Sequence, residues 1–119
     1  MARSLTSIPK ADGFRFPGEF ERKSGCWLGW PERPDVWRNG AKPAQKVWVE
    51  IVTAIASSEP VTVCASAAQY ANARRLLPEH VRVVEMTCND TWFRDSGAMT
   101  VVNDASGEVR GIDFEFNAY

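Results

Sequence analysis

The run Val61-Thr62-Val63-Cys64-Ala65 constrains the fold of this chain more than any other stretch. It is short, β-rich and uncharged, which fits a strand buried on both faces, the usual condition in a parallel sheet. Directly after it, Ser66 and Gln69 have capping-box spacing at the start of a helix running to about Leu77. Tyr70, Ala73, Leu76 and Leu77 form the apolar side of that helix, and Pro78 stops it. Val81 to Met86 is strand-like again. Strand, helix and strand in this order predict a parallel β-α-β unit with a right-handed crossover. Ligands of such sheets bind beyond the carboxyl ends of the strands, so the loop after Met86 is where a site belongs.

The remaining segments complete an α/β pattern. Met1 to Lys10 is polar, and a flexible tail is predicted over 1–12. Phe14, Phe16 and Phe20, interleaved with Pro17 and Gly18, predict an irregular segment anchored by its aromatics. Gly25 to Trp30 reads as a first strand, and Pro31, Pro34 and Gly40 punctuate the loop behind it. Trp27, Trp30 and Trp37 are read as packing residues, because tryptophan is generally well buried. Pro43 to Ser57 has helical spacing at Ala44, Val47, Trp48, Ile51, Val52 and Ile55, with Pro43 suited to the first turn and Glu59-Pro60 ending the helix. Met99 to Asn103, a turn at Asp104 to Gly107, and alternation over Val109 to Phe116 predict a hairpin, with Ile112, Phe114 and Phe116 opposite Asp113 and Glu115. No repeat, low-complexity tract or linker divides the chain, so 1–119 is read as one unit.

Charge and composition exclude several functions. With 14 basic and 15 acidic residues and a net charge of -1, there is no clustered basic surface for a nucleic acid. The first ten residues hold no apolar core of a signal peptide, and no run is long enough to span a bilayer, so the expectation is a cytoplasmic protein without a membrane partner. Cys26, Cys64, Cys88 and the single histidine, His80, lack the spacing of a zinc site, and three cysteines are an odd number for a disulfide framework. Cys64 reads as a small buried thiol in its strand, and His80 as an exposed residue leading the next one.

The loop beyond Met86 carries more charge and aromatic surface than a connection needs. Asp90, Trp92, Arg94 and Asp95 fall within six positions. A carboxylate accepts two parallel hydrogen bonds from a guanidinium, and an indole face stacks on the same flat group, so the set suits a planar cation. The same residues also suit an internal network in which Arg94 pairs with Asp90 or Asp95.

The order of the residues adds a resemblance. Asn89-Asp90-x-Trp92-x-Arg94-Asp95-x-Gly97 resembles the signature of the agmatine deiminases, relatives of the bacterial type of peptidyl-arginine deiminase. Asp12 to Glu21, Trp27 to Arg38, Gly40 to Gln45 and Asp113 to Tyr119 resemble the opening third of that family, in the same order. The implied fold is a pentein, a five-bladed α/β propeller of ββαβ units, incomplete in this chain. The implied reaction is hydrolysis of agmatine to N-carbamoylputrescine and ammonia, a step in putrescine biosynthesis, with no metal or organic cofactor. In the family a Cys thiolate attacks the guanidino carbon, a His moves protons, carboxylates hold the cation, and water cleaves the covalent intermediate. A guanidinium is weakly electrophilic and its nitrogens leave poorly, so all three groups are needed.

Carried over by position, Asp95 matches the guanidinium-binding carboxylate and Trp92 the aromatic lining the pocket. Asp90 is implied as a supporting carboxylate, Glu19 as a residue at the site mouth, and Arg94 as a support of the loop. Ser96-Gly97-Ala98 departs from the family by lacking a proline after the glycine. The family's His-x-Asp pair, its further acidic residue and its nucleophilic Cys have no counterpart, and Cys88 is not at the nucleophile position. The chain is therefore expected to be the opening third of a deiminase, inactive by itself, exposing blade faces and sheet edges that favour self-association. A peptidyl-arginine deiminase and a non-catalytic guanidinium-binding remnant are the alternatives.

Overall fold

The computed structural model describes residues 4–114. They fall into two compact units, one of residues 23–94 and one of residues 4–22 with 95–114.

Unit 23–94 is a three-stranded parallel sheet covered by two helices. The order along the chain is β1 (Cys26–Gly29), α1 (Lys42–Ala56), β2 (Val61–Ala65), α2 (Ala67–Leu76) and β3 (Arg82–Glu85). The spatial order is β1-β2-β3, with Cys26 opposite Val61 and Thr62 opposite Arg82. All five residues of β2 are buried, as expected for a central parallel strand. Both crossovers return their helices to one face. There Leu28, Trp30, Val61, Val63, Ala65, Val81 and Val83 meet Val52, Ile55, Ala73 and Leu77 in a continuous core.

Helix α1 starts where the sequence placed it, with Pro43 in its first turn. Its buried stripe runs through Gln45, Trp48, Val49, Val52 and Ile55, so Val47 and Ile51, half-exposed, lie outside the contact. Likewise Ala73 and Leu77 of α2 are buried, whereas Tyr70 and Leu76 are not. A two-layer sandwich covers one side of each helix only, and an apolar pattern alone does not say which side. The same rule separates the tryptophans. Trp30 points into the core at 2% exposure, and Trp37 packs edge-on against Trp48 at 6.2 Å between ring centroids. Trp27 lies on the uncovered sheet face, half-exposed, with the Arg82 guanidinium 5.8 Å from its ring centroid.

The second unit holds the hairpin of β4 (Met99–Val102) and β5 (Val109–Ile112), antiparallel with Met99 opposite Ile112. Arg15 pairs with Val102 through two backbone bonds of 2.9 Å. The stretch predicted as a tail carries a closed turn: Phe14 N–H donates to the Pro9 carbonyl at 2.9 Å, and Ser7 Oγ donates to Asp12 at 2.6 Å. Of the three phenylalanines expected to anchor this segment, Phe14 is buried under the Arg110 guanidinium, 4.0 Å from the ring centroid, while Phe16 and Phe20 are exposed. Phe114 is exposed too, and the predicted alternation at Glu115 and Phe116 lies outside the described residues. No ββαβ unit is complete among the described residues, which run β-α-β-α-β and then an antiparallel pair.

Candidate functional site

The carboxyl ends of the three parallel strands set the place. Backbone bonds from Trp30 N–H to the Cys64 carbonyl (2.8 Å) and from Met86 N–H to the Ala65 carbonyl (2.9 Å) carry the ladder past the ends of β1 and β3, so three loops leave the sheet side by side. They begin at Pro31, Ser66 and Thr87.

The loop after β3 is held from below by an absence. A Cβ on Gly29 would meet Thr91 Cα at 3.1 Å and the Phe93 ring at 3.2 Å, so the loop rests where no side chain leaves room for it. Within the loop, half-buried Asp90 accepts the Thr91 N–H at 2.7 Å. Trp92 stands 58% exposed at the loop's far end. A four-residue helical turn, α3 (Phe93–Ser96), follows and carries Arg94 and Asp95, both exposed. Glu19, exposed, belongs to the second unit, at a turn closed by Glu21 N–H on the Gly18 carbonyl (3.0 Å) and by Gly18 N–H on the Glu21 carboxylate (2.8 Å).

Sequence reasoning missed the part played by the loop after β1. Glu32 accepts a hydrogen bond of 2.6 Å from Ser66 Oγ. That contact replaces the capping box expected at Ser66, which occupies the N-cap position of α2 with no side-chain cap bond. Gln69 turns instead to Asn72 Nδ2, 3.0 Å away. Arg33 forks onto Asp35 at 3.1 and 2.5 Å and donates its third hydrogen bond, 2.8 Å, to the Asn89 carbonyl. Buried Gln45 donates to the Pro31 carbonyl at 2.9 Å and accepts from Asn72 at 3.1 Å, fixing the root of the same loop. The available signal was Glu32-Arg33 confined between Pro31 and Pro34 with Asp35 directly behind, together with a glutamine inside an apolar helical stripe.

Cys88 is half-buried, and burial, together with the Glu32 carboxylate, pushes its thiol above the ordinary range. A nucleophilic thiolate needs the opposite. His80 lines a hollow with Gly25, Pro60 and Arg82 at the amino ends of the strands, whereas Cys88 follows the carboxyl end of β3. A strand of β3's length, at roughly 3.3 Å per residue, separates the two levels, too far for proton transfer between them. Among the described residues no group of three or more His, Cys, Asp or Glu side chains is placed to hold a metal ion, and no helix is long and apolar enough to cross a membrane.

Comparison with known proteins decides the family. The model of the Porphyromonas-type peptidyl-arginine deiminases matches residues 15–119. The chain belongs to this family. It is 57% identical over 117 residues to agmatine deiminase of Pseudomonas syringae pv. syringae and 55% identical over 117 residues to that of Ectopseudomonas mendocina. Each match covers 98% of this chain and 32% of the relative, so the chain spans about a third of their length. The solved structure of agmatine deiminase of Enterococcus faecalis is 48% identical, with a TM-score of 0.89, over 93% of this chain and 30% of that one. The resemblance read from the motifs is thereby established as family membership, and the fold of these residues is shared with the solved relative.

Proposed function

We propose that this chain supplies the substrate-binding edge of an agmatine deiminase, the enzyme that hydrolyses the guanidinium of agmatine to a ureido group and releases N-carbamoylputrescine and ammonia. The observation that carries the reading is identity above one half, across nearly the whole chain, to proteins named for that activity. In this reading Asp95 receives the guanidinium, Trp92 lines the pocket, Asp90 supports the loop and Glu19 stands at the mouth. The architecture proposed for the whole enzyme is the five-bladed α/β propeller, and its location the cytoplasm.

The 119 residues alone are proposed not to turn substrate over. Cys88 has a raised thiol, and His80 stands at the other end of the strand. The uncovered sheet face around Trp27 and the half-exposed Val47 and Ile51 favour self-association.

Titration calorimetry with agmatine on the wild-type chain and on Asp95→Ala tests the binding role. Heat of a weak specific association that vanishes in Asp95→Ala while the melt is unchanged supports it. No heat with either protein overturns it and leaves a remnant that binds no guanidinium, and equal heat with both overturns the role given to Asp95. The family description favours one second reading, a peptidyl-arginine deiminase. An arginine-containing peptide competing as well as agmatine would move the assignment there.

A further inference from the structure

Three contacts on one short loop have no role in the binding reading above, and together they describe a frame. The loop leaving β1 grips the end of β2 through Glu32 and Ser66 (2.6 Å) and the loop after β3 through Arg33 and Asn89 (2.8 Å), while Gln45 holds its own root at Pro31 (2.9 Å). We infer that Arg33 is a positioning residue: locked by the Asp35 carboxylate, it holds the backbone of the loop carrying Asp90 and Trp92 at the height a guanidinium requires.

The chemistry of the contact supports this. A guanidinium carries donors in a rigid fork, and two of its nitrogens are spent on Asp35, which fixes the plane of the group. The remaining terminal nitrogen, Nη1, lies in that fixed plane and donates to the carbonyl of Asn89, immediately before Asp90. The charged donor bonds a backbone carbonyl rather than a carboxylate of the loop, and its guanidinium also lies close enough to Asp90 to feel that charge. Ser66 reports the same priority from the neighbouring strand, since its hydroxyl holds Glu32 and leaves helix α2 without a side-chain cap. From below, Gly29 admits Thr91 to van der Waals contact with the end of β1. The loop is thus held between Gly29 and Arg33.

Arg33→Lys keeps the charge but cannot fork onto Asp35 and reach Asn89 together. It is therefore expected to behave like Arg33→Gln rather than like wild type. The link from loop position to substrate rests on the proposed deiminase reading; the restraint itself does not.

Amide hydrogen exchange of the 119-residue chain, read by mass spectrometry, separates the two. In Arg33→Gln and Arg33→Lys, exchange over 86–94 should rise about three- to fivefold, the scale of a partly exposed charged contact, while exchange over 61–66 stays as in wild type. Asp35→Asn, a milder change that retains the arginine, should give a smaller rise in the same peptide. Unchanged exchange over 86–94 in all three variants overturns the inference. Equal acceleration in 61–66 and 86–94 also overturns it, because Arg33 would then be a general stability residue. A parallel agmatine titration should weaken by the same three- to fivefold. If wild type shows no agmatine binding while 86–94 alone loosens in the variants, the positioning role stands and the deiminase reading falls.

Discussion

The two units of this chain are held together by different physics. In 23–94 the parallel sheet and its helices bury a continuous set of aliphatic side chains; the interior Gln45 is hydrogen-bonded, while the indole N–H groups of Trp30 and Trp48 are buried without a hydrogen-bond partner among the described residues. In the other unit only Phe14 and Val101 are buried among the described residues. There Arg15 forks onto both Glu21 and Asp104, at distances between 2.5 and 2.9 Å, and Arg110 bonds Asp12 at 2.6 Å and Glu108 at 2.9 Å. Burial is indifferent to salt and mild acid, whereas exposed ion pairs answer to both. One molecule therefore combines a part whose stability is set by packing with a part whose order is set by solution conditions.

The comparison breaks most visibly in the core. Val63→Ala should destabilise 23–94 by about 2–3 kcal/mol, from two lost methyl groups and the void left behind. All five tryptophans lie in that unit, so urea unfolding followed by tryptophan fluorescence reads it alone. Gln45→Leu should come next, at about 1–3 kcal/mol, because it strands the Pro31 carbonyl and leaves the Asn72 amide with Gln69 alone. An unchanged urea midpoint would mean that neither contact matters to the fold.

The ion-paired unit sharpens the contrast through pH. Hydrogen bonds from Arg15 hold the Glu21 and Asp104 carboxyls below their ordinary values of 4.5 and 3.8. Because the folded values are the depressed ones, the stabilisation is complete above the ordinary values and is lost as pH falls through the lowered ones. Exchange of the Arg15 and Val102 amides should therefore accelerate as pH is taken down through that acidic range, beyond the intrinsic change in exchange rate, while Val63 keeps its protection. Half-molar salt should produce the same change in a weaker form. The smallest effect concerns Cys88. Glu32→Gln removes a negative charge that raises the thiol, so alkylation at pH 8 should quicken modestly; a slower reaction would contradict the placement of Glu32 beside it.

What was legible in the sequence follows the same division. The run Val61–Ala65, the helix opening at Pro43 and the hairpin around Asp104 are written in local periodicity and turn chemistry, and each stands where it was read. The loop after Met86 was legible as the candidate site because a parallel sheet puts ligands at its carboxyl edge. Contacts between segments distant in sequence were not legible. Nothing near Ser66 says that its hydroxyl turns to Glu32 rather than to its own helix, and nothing near Trp27 says that its strand turns that face away from the helices. Of three consecutive left-handed residues, Asn39, Gly40 and Ala41 (φ 56, 61 and 63°), the first two are types that favour that conformation, whereas Ala41 carries no signature of it.

The bond between Arg15 and Asp104 joins groups 89 residues apart. A ribosome adding roughly 5–20 residues per second makes the second partner some 4–18 seconds after the first. Throughout that interval the segment around Phe14 has no hairpin to lie on, while the parallel sheet can already assemble. The chain's earliest residues are thus among the last to find their place, and Phe14 must stay soluble while it waits.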